Sequence, residues 1–202
     1  MAENRRLVLG SGSVHRARFL RDAGYDFEVR VSGADESVAM VPPPESAVVN
    51  AALLKARSIS IETDEVLLTA DTIVWFNGQI IGKPKNREDA IHFLKMFRGK
   101  NIECYTGIVV KTVDGEQSEA VRGDFLMRKL SDAEIEAYVA AGIACGHAGA
   151  FTTQGYGSTF VETVSGSYST IEGLPMSQVF KMLKRTGVVP DLKKSTYRNV
   201  RK

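Results

Sequence analysis

Asp71 stands in a run of apolar residues made of Val66, Leu67, Leu68, Ile73, Val74 and Trp75. Such a run, rich in β-branched and aromatic types, predicts a strand buried on both faces. A carboxylate inside it is costly unless it is paired or binds a cation. Asn77-Gly78 predicts a two-residue hairpin, Gln79 to Ile81 returns, and Gly82-Lys83-Pro84 closes the return strand with a cation. An aspartate and a lysine at the mouth of one hairpin suit a metal ion and a polyphosphate. The same two residues could instead form a buried salt bridge, and spacing alone leaves both open.

A second group lies near the start. Arg6 to Gly10 predicts a short strand, Ser11-Gly12-Ser13 a small polar loop, and Val14 to Ala23 a helix capped by Ser13 and stopped by Gly24. Strand, small loop and helix is an arrangement that holds phosphates on free N–H groups. His15, Arg16 and Arg18 place cations or protonatable groups in the first turns. They oppose the helix dipole, so a bound anion would relieve the conflict. Ordinary capping is the other reading.

Two further features are locally unremarkable. Lys55 lies beside the apolar stripe of a helix predicted over 46–61, where a snorkelling lysine is the simpler reading. Asp35-Glu36 falls in a loop over 32–44 and reads as solvated. A glycine-rich loop over 146–157 carries His147 and Gln154, and such loops commonly build binding walls.

The elements that must position these residues alternate in part and pair as hairpins in part. Strands are predicted at 27–31, 103–112, 117–128 and 158–164, besides the opening strand and the central hairpin. Further helices run from the Asn86 cap to Phe97, from the Ser131-Asp-Ala-Glu134 capping box to Ala141, and from Pro175 to Arg185. About seven strands and five helices give an α/β fold with a mixed sheet.

The chain has 202 residues and a formal net charge of +2. The last thirteen residues carry a net +4, so the body is slightly acidic, which weighs against a nucleic-acid-binding body. The basic stretch 190–202 reads as a solvated, mobile end. No run approaches the roughly 18 apolar residues of a membrane span. Cys104 and Cys145 form no metal or redox pattern and read as small buried residues of a reducing compartment. A cytoplasmic protein with no membrane contact is expected.

Several of these pieces occur together in one family. LVLGSGSVHRARFLRDAGYDFEV, NAALLKARSI, LLTADTIVWFNGQIIGKP, ECYTGIVV, AGAFTTQG and GSYSTIEGLPM resemble, in order, the blocks of the Maf proteins. The resemblance covers roughly residues 6 to 185. It implies an elongated mixed β-sheet flanked by helices, in two lobes with a central cleft, like the inosine triphosphatases (Maf/Ham1-type). It also implies one Maf-like domain over 1–189 followed by the tail. The implied activity is hydrolysis of nucleoside triphosphates to monophosphate and pyrophosphate with a divalent metal cation (Mg²⁺, Mn²⁺ or Co²⁺), by a protein that can form a homodimer. Carried over by resemblance, Ser11, Ser13, Arg16, Lys55 and Lys83 bind the phosphates. Asp71 is catalytic, and Glu36 with Asp71 holds the metal.

Three positions divide the family by base. Members acting on dTTP and UTP have Arg, Thr and Gln there, and those acting on 7-methyl-GTP have Trp, Gln and Glu. Here they are His15, Thr72 and Gln154, so two of three match the pyrimidine type. Val14 stands in place of the family's proline, and His147 where many pyrimidine-type members have lysine. The alternatives are a 7-methyl-GTP or inosine-type pyrophosphatase, or a non-catalytic nucleotide- or nucleic-acid-binding regulator.

Overall fold

Three parallel strands organise the first part of the chain. β1 (Arg6–Leu9) pairs in parallel with β2 (Phe27–Val29) and with β3 (Glu65–Phe76), Leu9 standing opposite Leu68. The structure, a computed structural model, describes residues 5–196. The sheet has the order β2-β1-β3-β5-β6-β7, and β4 (Gln79–Ile81) pairs with β3 in the antiparallel sense. β5 spans Asn101–Thr112 and β6 spans Gly115–Met127. β7 (Val161–Gly166) runs antiparallel to β6, so the sheet is mixed, as the sequence predicts.

The helices are α1 (Val14–Ala23), α2 (Pro44–Ser58), α3 (Arg87–Phe97), α4 (Asp132–Ala140), α5 (Tyr168–Ile171) and α6 (Met176–Arg185). The chain divides into two compact units. The first takes the described parts of 1–71, 106–121 and 173–202, and the second takes 72–105 and 122–172.

In the first unit β3 is covered on both faces. Val66, Leu68 and Ala70 pack with Leu20 of α1 and Val179, Met182 and Leu183 of α6. Leu67 points the other way, into Ala52, Ala56 and Ile59. Strand side chains alternate, so Thr69 and Asp71 share the Leu67 face that looks at α2. Thr69 confirms the parity by donating its hydroxyl to the Ala52 carbonyl at 2.7 Å. Gly107 of β5 lets that helix approach closely, since a Cβ there would lie 2.3 Å from the Val48 carbonyl oxygen.

In the second unit α3 buries Ala90, Leu94 and Phe97, and α4 buries Ile135, Tyr138 and Val139. Ser131 and Glu134 close the expected capping box. Phe151 of the glycine-rich loop stacks on Phe125 and on Phe160.

Several local expectations change. A 3-10 segment, Glu36–Ala39, occupies the predicted loop, with Asp35 capping the Ser37 N–H. The predicted strand over 158–164 begins late because Gly155–Phe160 is a 3-10 segment. There the Ser158 and Thr159 hydroxyls donate back to the carbonyls of Gly155 and Tyr156, which holds the turn. Ser165 and Gly166, beyond the predicted strand, remain in β7 opposite Asp124 and Gly123. Cys104 is buried as expected, but Cys145 is exposed.

The start of the tail is docked rather than loose. Asp191 N–H donates to the Gly24 carbonyl at 2.9 Å, and the Ser195 and Thr196 hydroxyls donate to Asp22. Lys194 pairs with Asp26. Arg198, Arg201 and Lys202 lie outside the described residues.

Candidate active site

Each strand of the parallel trio delivers something at its carboxyl end, the usual place for sites in α/β sheets. β1 runs into Gly10 and the serine loop. Ser13 caps α1 by accepting the Arg16 N–H at 3.4 Å, as predicted. The Ser11 hydroxyl accepts the Ser13 N–H at 3.2 Å and the Arg16 Nη1–H at 3.0 Å. Arg16 also donates its Nε–H to the Gly173 carbonyl at 2.9 Å, so its fork is fixed from two directions. Its side chain is buried, which lowers the guanidinium from its ordinary value, while the nearby Asp71 and Glu36 carboxylates act in the opposite sense. The loop, its serines and the arginine are joined by these bonds into one cluster of donors, a type of arrangement that can receive an anion.

β3 delivers Asp71 three residues beyond Leu68. The ion partner the structure shows for it is Lys55, with Nζ 2.8 Å from Asp71 Oδ1. Lys55 also donates to the Ala70 carbonyl at 3.3 Å. Lys55 is only 8 % exposed and Asp71 only 9 %, so the snorkelling reading of the lysine fails. The helical period explains why. Ala52, Lys55 and Ala56 share one face of α2, and that face covers β3. β2 leads to Glu36, whose Oε1 lies 3.2 Å from the same Lys55 ammonium.

Ser11, Ser13, Arg16, Glu36, Lys55 and Asp71 therefore come together in the first unit. His15 is half-buried on α1 beside Arg16.

The remaining predicted residues belong to the second unit, Thr72 within β3 and Lys83 and Gln154 on loops. Thr72 follows Asp71 directly and is half-buried, and Lys83 is exposed after β4. The Gly82 carbonyl accepts the Gly149 N–H at 2.9 Å, which ties the lysine loop to the glycine-rich loop. Gln154 is held at the backbone by the Thr152 hydroxyl, 3.3 Å away, and its side-chain Nε2 donates to Glu172. Glu172 also faces Cys104, whose thiol is pushed up to about 12, first by burial and then by Asp124 and Glu172.

Sequence reasoning missed two partners, the Gly173 carbonyl and Glu172. Both lie in the quoted GSYSTIEGLPM block. A glutamate between Ile171 and Gly173-Leu174 was the available signal.

The donor set limits the kind of metal site. Among the described residues no group of three or more His, Cys, Asp or Glu side chains could hold an ion. Glu36 and Asp71 instead converge on one cationic point, the Lys55 ammonium. Two carboxylates fit a hard cation that completes its shell with water and phosphate oxygens.

A buried Asp–Lys pair and a buried arginine held by Ser11 and Gly173 lie in one unit of an α/β protein. Comparison with known proteins makes the class specific. The family model described as Maf-like protein matches residues 6–186, and the chain belongs to this family. Two relatives named dTTP/UTP pyrophosphatase, from Bacillus anthracis and Bacillus cereus, are each 35% identical over 185 residues, covering 91% of this chain and 97% of theirs. The Ham1 protein of Staphylococcus aureus aligns with a TM-score of 0.50 at 12% identity, over 90% of this chain and 99% of its own. That likeness concerns the fold and agrees with the Maf/Ham1-type expectation. Among the described residues no helix is long and apolar enough to cross a membrane.

Proposed function

We propose that the chain is a nucleoside triphosphate pyrophosphatase that converts dTTP, UTP or modified pyrimidine triphosphates to the monophosphate and pyrophosphate, a nucleotide-pool housekeeping role. The observation that carries the proposal is the buried Lys55–Asp71 pair in the same unit as the Ser11–Arg16 cradle. The names of the relatives supply the substrate class.

The residues divide the work by chemistry. Asp71 orients the attacking water and takes its proton. Arg16 and Lys55 offset the charge that grows on the phosphates as pyrophosphate leaves. The Ser11 and Ser13 hydroxyls and the α1 N–H groups hold phosphate oxygens in place. Lys83 is assigned a phosphate contact, and His15, Thr72 and Gln154 are assigned to the base. Glu36 and Asp71 would hold a divalent cation such as Mg²⁺, Mn²⁺ or Co²⁺. When bound, it would supply charge neutralisation and a more acidic water. A homodimer and a cytoplasmic location are part of the same proposal, on family resemblance.

The test is pyrophosphate release from dTTP, UTP, CTP, 5-methyl-UTP, pseudo-UTP, 7-methyl-GTP, ITP and the common purine triphosphates, with each metal in turn. Highest turnover of the uracil and thymine set is expected. Preference for 7-methyl-GTP or ITP would overturn the substrate class, and no release from any member would overturn the enzyme.

A further inference from the structure

Gln154 is fixed at both ends of its chemistry. Its backbone N–H is bonded to the Thr152 hydroxyl, and its carbonyl accepts the Gly157 N–H at 3.1 Å. Gly157 packs closely on the same turn, since a Cβ there would lie 2.0 Å from the Thr152 carbonyl oxygen. The remaining freedom is the side chain, and its Nε2 is engaged by Glu172. Glu172 is itself anchored as the cap of α5, its N–H bonded to the Tyr168 carbonyl at 3.1 Å.

A carboxylate only accepts hydrogen bonds, so the amide edge facing Glu172 must be nitrogen. An isolated glutamine amide can turn over, exchanging its oxygen and nitrogen at little cost. Beside Glu172 the turned form would set oxygen against carboxylate oxygen. The pair therefore selects one of two amide orientations.

Building on the reading of Gln154 as a base-facing residue, we propose that Glu172 is a positioning residue that sets pyrimidine choice by fixing the Gln154 amide. Uracil and thymine offer an N3–H donor beside a carbonyl acceptor. Cytosine offers the reverse, a bare N3 beside an amino donor. An amide can pair with either edge, but only by turning over. The second Nε2 proton and Oε1 together make an edge that suits uracil and thymine in one orientation. Fixing the amide converts a residue that tolerates both bases into one that reads one of them. A site built to pair a specific polar edge rejects the mismatched analogue strongly, because mismatching leaves its polar groups unpaired.

The experiment compares kcat/KM for UTP and CTP in the wild-type chain, Glu172→Val, Glu172→Gln and Glu172→Lys, with melting temperatures recorded for each. The wild type is expected to favour UTP. Glu172→Val is expected to lower the UTP-to-CTP ratio roughly 5- to 100-fold, the range corresponding to one lost buried polar partner. Glu172→Gln keeps an acceptor and is expected to retain most of the preference. Glu172→Lys offers only donors, turns the amide oxygen inward, and is expected to move the ratio furthest toward CTP. It also keeps the test open if the valine variant does not fold. Equal loss on both substrates, or an unchanged ratio in folded Glu172→Val and Glu172→Lys, would overturn the positioning role while leaving the pyrophosphatase intact. If the wild type releases no pyrophosphate, the proposed function fails. Glu172 is then judged by the calorimetric affinities of UMP and CMP in the same proteins. A wild-type preference for UMP that shrinks in Glu172→Val supports the positioning role, whereas no preference or an unchanged one overturns it.

Discussion

The Lys55 ammonium lies 2.8 Å from the Asp71 carboxylate, with Glu36 3.2 Å from the same nitrogen. Removing the partner of a buried charge costs more than the pair contributes, because the survivor stays desolvated. Asp71→Asn keeps an oxygen for Lys55 and is expected to fold normally while losing a factor of about 10²–10⁴ in turnover. Lys55→Met strands Asp71 and is expected to cost about 3–5 kcal/mol as well as activity. Pyrophosphate release and urea unfolding separate the two. An active Asp71→Asn would remove Asp71 as the base.

Arg16 spends two different donors on two fixed acceptors, Ser11 and the Gly173 carbonyl. Lysine is a point charge and cannot span both. Arg16→Lys is expected to raise KM for the triphosphate roughly 10- to 100-fold, the equivalent of about 1.5–3 kcal/mol for a charged hydrogen bond. Steady-state kinetics with dTTP would show it, and an unchanged KM would take Arg16 out of the cradle.

Gly107 and Gly82 offer a paired test of packing. A Cβ at Gly107 meets the Val48 backbone at 2.3 Å, whereas one at Gly82 meets nothing within 4 Å. Backbone cannot swing aside as a side chain can. Gly107→Ala is expected to destabilise by about 1–3 kcal/mol and Gly82→Ala to stay within about 0.5 kcal/mol. Denaturant midpoints of the two variants check this, and equal values would contradict the close approach of α2 to β5.

Glu134 gives the acid limb of stability a specific contributor. Arg128, 2.6 Å away, and the Ser131 N–H hold its carboxyl down from 4.5 to about 2. A depressed carboxylate adds stability that is fully present above its unfolded value and is lost as pH falls through its folded one. Melting temperature should therefore decline from about pH 4.5 toward pH 2, and more shallowly in Glu134→Gln. Identical slopes would show that the pair contributes nothing.

The opening strand, the Ser13 cap, the Asn77-Gly78 hairpin and the capping box are legible because each depends on residues a few positions apart, whereas the parallel pairing of β1 with β3 joins Arg6 to Glu65 and has no local signal. Lys55 was not legible from its helix alone. Its partner is 16 positions away, and only the pairing of α2 with the Leu67 face of β3 brings them together. Glu172 and Gln154 meet across 18 positions through a four-residue helix that carries almost no periodicity to read. Cys145 reads as buried because cysteine usually is, yet it is exposed. The tail reads as solvated because its charge is high, while its described part is held by backbone and hydroxyl groups that composition does not weigh, together with the Lys194–Asp26 pair.

Asp191 closes on Gly24, where a Cβ would lie 2.3 Å from its carbonyl oxygen. The unit that contains the serine loop thus takes α6 and this segment from positions that follow all of the other unit in sequence. On a ribosome every residue of the other unit has been made before those pieces emerge. Helix α1 must therefore wait for a stretch made after the whole of the other unit, so the unit that holds the serine loop is completed second.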